Sequence, residues 1–95
     1  EALANEIYKE LKIFQEKRSR LPLLIRKILL KKERVFTQNA SDPTLAIRIF
    51  QPDSPNIFTL GIIDNLAIVF RKETKNKVKF INIINQVSDF YSYSL

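Results

Sequence analysis

Few side chains in this sequence could do chemistry. Its 95 residues include no histidine, cysteine, methionine or tryptophan, and one glycine. Without histidine the commonest general base at neutral pH is missing. Without histidine and cysteine, the serine–histidine and cysteine–histidine nucleophile systems cannot be built. A single glycine excludes a phosphate-binding loop and a dinucleotide fingerprint. What remains is a carboxylate pair or a two-carboxylate magnesium site, drawn from Asp42, Asp53 and Asp64. Asp42 precedes Pro43, Asp53 sits within Pro52-Asp53-Ser54-Pro55, and Asp64 precedes Asn65. Turn chemistry accounts for each of them. The sequence therefore predicts no enzyme, no metal and no cofactor.

The second resource is positive charge. Sixteen Lys and Arg oppose ten Asp and Glu, for a net charge of +6. Residues 1–40 hold ten basic against five acidic side chains, 41–70 are slightly acidic, and 71–95 are basic again. An uneven basic surface points to an anionic partner, and a solvated lysine-rich surface is the plain alternative. Two clusters stand out. Arg18, Arg20, Lys27, Lys31 and Lys32 lie in the first third, and Lys75, Lys77 and Lys79 near the end. Convergence of the two would make a phosphate-binding surface for nucleic acid or an anionic membrane. Tyr8, Tyr91 and Tyr93 are the aromatics that could serve as exposed platforms.

These residues need elements to hold them. Leu3, Ile7, Leu11 and Phe14 recur at helical spacing and predict an amphipathic helix over 1–16. Ser19 reads as the N-cap of a second helix, over 21–35, in which Pro22 is tolerated in the first turn. On a helical wheel Leu21, Leu24, Ile25, Ile28 and Leu29 share one arc. Leu23 and Leu30 fall opposite, among Arg26 and Lys27. A small domain needs one apolar arc, so the second predicts contact with another element or another chain.

Three β-branched and aromatic runs follow, 45–50, 57–63 and 66–70. Asp64-Asn65 makes the last two a tight hairpin. A two-residue loop pairs Ile63 with Leu66, Gly61 with Ile68 and Thr59 with Phe70, leaving both faces largely apolar. A sheet with one wet face alternates, so helices must cover both faces or one face is an interface. Lys77 to Phe80 alternate like an edge strand. Phe80, Ile83, Ile84, Val87, Phe90 and Tyr91 then follow helical spacing, predicting a closing helix over 81–92.

The expectation is one α+β domain over 1–95: two N-terminal helices, helical and basic over 1–36, an antiparallel sheet of three or four strands within 44–80, and a C-terminal helix. In element order this resembles the lipid-binding domain that closes several protein kinases, where a basic turn precedes the last helix, as in Lys75 to Tyr91. It also resembles the RWD-type modules that end kinetochore coiled coils. The hairpin Leu60–Phe70 and the ending Ser88-Asp89-Phe90-Tyr91 carry that resemblance, which implies interlocking protein–protein contacts.

The favoured function is a non-enzymatic protein–protein module, binding another protein or its own copy. Its interface candidates are Leu23 and Leu30, with Leu60, Ile62 and Val69 from one hairpin face. A polyanion binder is the alternative. No apolar run is long enough to span a membrane, and the lack of cysteine fits a reducing, intracellular compartment, cytoplasm or nucleus.

Overall fold

A computed structural model describes residues 6–86. In chain order the elements are β1 (Glu6–Glu10), α1 (Lys12–Arg20), α2 (Leu23–Gln38), a 3-10 turn (Pro43–Leu45), β2 (Arg48–Gln51), β3 (Ser54–Ile63), β4 (Leu66–Lys72) and β5 (Lys77–Asn85). The strands form one mixed sheet in the order β1-β5-β4-β3-β2. β1 runs parallel to β5, and every other pairing is antiparallel.

Pro22 separates the two helices. It has no N–H to donate and disfavours helical backbone in the residue before it, and Leu21 is accordingly extended (φ −69°, ψ 146°). Lys17, Arg18 and Arg20 fall in the last turn of α1, where cations complement the exposed carbonyls. α1 packs against β5 and α2 against β3. Both lie on the same face of the sheet, because Phe14, Leu29 and Phe36 share one buried cluster with Leu60, Ile68, Phe70, Val78 and Phe80.

The centre of that cluster is aromatic. Phe36 lies 5.2 Å from Phe70 and 6.1 Å from Phe80, between ring centroids. Phe14 meets Phe80 edge to face at 5.2 Å. Phe58 stacks on Phe70 at 5.6 Å. Offset and edge-on contacts of this kind add to simple burial.

The architecture corrects the sequence expectation. The class is α+β, but the sheet has five strands rather than three or four, is mixed rather than antiparallel, and begins in the segment expected to be helical. Residues 6–10 are a strand because a parallel ladder with β5 is available to them, from Glu6 beside Lys77 to Glu10 beside Phe80. The ladder satisfies their backbone groups and turns Ile7 toward the core. The closing helix over 81–92 is also corrected. Residues 81–85 continue β5, and 87–92 lie outside the described residues. A bulge explains the misreading. Val69 pairs with Asn82 and Phe70 with Phe80, which leaves Ile81 as the extra residue. That insertion shifts the alternation, so Phe80 and Ile83 both face the core at a spacing that imitates a helix.

Smaller corrections follow the same logic. Ser19 is not an N-cap; its hydroxyl donates to the Glu16 carbonyl at 2.7 Å within α1. The first predicted strand is shortened to β2, and Pro43–Leu45 ahead of it form a 3-10 turn. In the hairpin, Ile63 faces Leu66 as expected, but Gly61 pairs with Ala67 and Thr59 with Val69, because Ile62 is inserted as a bulge. Asp64 alone of the two loop residues takes a positive φ, 51°.

Candidate interaction surfaces

α2 presents one arc to the sheet and the opposite arc to solvent. Leu29 and Phe36 are buried, whereas Leu23 and Leu30 are 60% and 53% exposed. Leu24, which the wheel grouped with the core arc, is instead 70% exposed, because it lies at the edge of that arc beyond the reach of the sheet. Leu23 and Leu30, seven residues apart, share one longitude about 10.5 Å apart along the axis. Lys27 and Arg34 fall between and beyond them on the same longitude, with Lys31 beside Leu24. Lys27, Lys31 and Arg34 are exposed. None of the three has an acidic group within 4.0 Å among the described residues.

The other apolar interface candidates lie elsewhere. Leu60 and Ile62 are buried in the core beneath the helices. Val69, 5% exposed, pairs with Thr59 and Asn82 on the opposite sheet face. The structure therefore does not bring these three together with Leu23 and Leu30. On that opposite face, Phe50, Ile57, Val69, Ile81 and Ile84 line a groove of about 290 Å³.

The basic candidates divide by what they already bind. Lys32 donates to the Thr44 carbonyl at 2.7 Å and ties α2 to the 3-10 turn. Arg18 is committed to Glu10 and also lies over the Phe14 ring, 5.2 Å from its centroid. Lys79 pairs with Glu73 at 3.1 Å, and Tyr8 donates its hydroxyl to the same carboxylate at 3.2 Å. The Lys79 ammonium holds the Glu73 carboxyl below the usual carboxylate range. Arg20, Lys27, Lys31, Lys75 and Lys77 are exposed. Lys9, Lys79 and Arg71 stand abreast across β1, β5 and β4. The helical and sheet clusters thus occupy separate elements, and Lys9 of β1 and Arg34 of α2 line a shared cavity.

That cavity, of about 510 Å³ between β1 and the helices, contains a group the sequence reading passed over. Arg18 grips Glu10 with two hydrogen bonds, 2.9 and 3.1 Å, and reaches Glu33 at 3.8 Å. Burial pushes the Glu33 carboxyl up to about 7, and the neighbouring Glu10 carboxylate adds to this while Arg18 opposes it. Strand, first helix and second helix meet there. No sequence signal links positions 10, 18 and 33, because the strand was read as helix.

The three aspartates are turn residues. Asp42 accepts hydrogen bonds from the Thr44 hydroxyl and N–H, at 2.6 and 2.9 Å, and these lower its carboxyl's pKa. Asp53 and Asp64 are exposed in the β2–β3 and β3–β4 connections. Among the described residues no three His, Cys, Asp or Glu side chains converge on a point that could hold a metal ion. No described helix is long and apolar enough to cross a membrane. Of the tyrosine candidates, Tyr91 and Tyr93 lie outside the described residues.

No protein family matches the chain, and no curated protein sequence does. A solved structure shares its fold: a chain of the RelB–RelE antitoxin–toxin complex from Methanococcus jannaschii. The TM-score is 0.67 at 21% identity, over 90% of this chain and 96% of that one. The fold is therefore one that has been crystallised within a two-protein complex. It replaces the kinase-terminal and RWD-type resemblances, whose element order depended on the closing helix.

Proposed function

We propose that this chain is the compact member of a two-protein pair of the antitoxin–toxin kind, and that it meets its partner through the exposed arc of α2. The observation that carries the reading is the exposure of Leu23, Leu24 and Leu30 on a helix whose other side is fully used by the core. Large apolar side chains left exposed among charged neighbours on one helix face mark a candidate interaction surface. The fold shared with a chain of an antitoxin–toxin complex supports it. Purification of the tagged protein from its native cells, followed by size exclusion with light scattering, tests the reading. The expected mass is that of this chain plus a different protein in fixed ratio. A lone monomer, or a dimer of this chain alone, overturns it.

A second reading has its own observation. Lys9, Lys79 and Arg71 stand directly opposite one another, and like charges so placed destabilise a sheet. Glu73 pairs with Lys79 and also feels Arg71, so one carboxylate answers three cations and a polyanion would supply the rest. A duplex or single-stranded oligonucleotide should then bind with an affinity that falls steeply between low and physiological salt. Replacing Lys9 and Arg71 with Glu should abolish that binding, and unchanged binding sinks this reading.

A further inference from the structure

We infer that the exposed arc of α2 is the seat of an acidic amphipathic helix supplied by a different protein. The inference rests on the pair reading and adds the chemistry of the partner.

The spacing favours a helical occupant. Leu23 and Leu30 repeat at one heptad on a helix held rigid by Leu29 and Phe36. Leu23 and Leu30 form one apolar row along the exposed arc, with Lys27 and Arg34 beside it, and a facing helix with apolar residues at the same repeat can pack along that row. The charge favours an acidic one. Lys27, Lys31 and Arg34 punctuate and flank the leucines, while the acid of α2, Glu33, is turned toward Glu10 and Arg18. Glutamates beside the partner's leucines would meet all three cations at a partly desolvated rim, where charge complementarity sets partner choice and association rate.

The same charges exclude a second copy. An α2–α2 contact would bring two sets of Lys27, Lys31 and Arg34 within a Debye length of each other, about 8 Å at physiological salt. An anionic bilayer is also disfavoured. An interfacial helix sinks a broad apolar face into the headgroup region, and the broad face of α2 is spent on Leu29, Phe36 and the sheet.

The probe is a fluorescent synthetic peptide of about 18 residues, long enough to be helical, with leucines at heptad spacing flanked by glutamates. Its partner in the assay is the full chain. Saturable binding by fluorescence anisotropy is expected, at least about tenfold tighter than to a scrambled peptide of the same composition. Leu30→Asp, and separately the pair Lys27→Glu and Lys31→Glu, should each weaken it at least about tenfold. All three positions are exposed, and unchanged circular dichroism and melting confirm that the variants fold.

Equal binding of the scrambled peptide, or no saturable binding, overturns the inference. So does capture of phosphatidylserine vesicles in place of the peptide, or self-association lost in Leu30→Asp. Photo-crosslinkers at position 30 and at Ile49, a 58% exposed residue of β2 away from α2, in the isolated native pair separate the two claims. Crosslinking to the partner from 49 and not from 30 overturns the α2 seat and leaves the pair standing. Absence of any stoichiometric partner overturns both.

Discussion

Arg18 grips both oxygens of the Glu10 carboxylate, at 2.9 and 3.1 Å, and so joins the first strand to the first helix. β1 is only five residues long and lies at the sheet edge, so this fork is a large share of what holds it. Two-pronged guanidinium–carboxylate pairs are among the stronger polar contacts, and both groups are partly shielded from water. Arg18→Ala should cost about 1–3 kcal/mol in urea unfolding, since it also leaves the Glu10 and Glu33 carboxyls facing each other. Hydrogen exchange should accelerate in residues 7–10 before it does in β3 and β4. Uniform acceleration would show that the fork is not local to β1.

Glu33 makes stability depend on pH. Its carboxyl is raised from 4.5 to about 7 in the folded chain, chiefly by burial and then by Glu10 from β1, against Arg18 from α1. The folded state therefore holds a proton that the unfolded state has released. Its contribution is fully present below about pH 4.5 and is lost as the pH rises through 7. Glu33→Gln, which keeps the shape without the charge, should gain about 1–2 kcal/mol over the wild type between pH 5 and pH 8, after allowance for solvent screening. Parallel stability curves for the two proteins across that range would refute the assignment.

A side chain on Gly61 would place its Cβ 3.3 Å from that of Ala46, tighter than ordinary contact. Ala46 itself sits in the left-handed region, at φ 50° and ψ 49°, after the 3-10 turn. Ala46→Gly removes both the left-handed strain and the obstructing methyl. The two substitutions should therefore couple. Gly61→Ala should be about 0.5–1 kcal/mol more favourable in the Ala46→Gly background than alone. Simple additivity in denaturant melts would show that the sheet yields at this point.

Phe36 and Leu30 lie on opposite arcs of one helix and should behave oppositely. Phe36, fully buried among Phe70 and Phe80, should cost about 3–5 kcal/mol when cut to alanine. Leu30→Ala should change the stability of the free chain by less than about 0.5 kcal/mol. A large loss at Leu30 would mean that its side chain is held by this chain itself.

What could be read from the sequence depended on how local the signal was. The β3–β4 hairpin was legible because its strands are β-branched and its loop is Asp64-Asn65. α2 was legible through its helical periodicity, and the wheel placed Leu23 and Leu30 opposite the core arc. β1 was not, since five residues whose ladder partner lies near Lys77 carry no signature of their own, and Ile7 fits a helical stripe equally well. The strand continuing past Phe80 was hidden by the unpaired Ile81, which turns period two into an imitation of a helix. The Glu10–Arg18–Glu33 junction was illegible because it exists only once β1, α1 and α2 are folded together.

The parallel pairing of β1 with β5 has a consequence for how the molecule is born. β1 is made before its ladder partner β5, so its ladder stays open until β5 has emerged. α1 cannot seat Phe14 against Phe80 until β5 has emerged. The nascent chain therefore carries the underside of α1 exposed until β5 emerges, whereas α2 can meet β3 earlier. Closure from β1 to β5, across nearly all the described residues, is a long-range contact of the kind that slows folding. During that interval the unshielded apolar side chains of α1 are most exposed to aggregation.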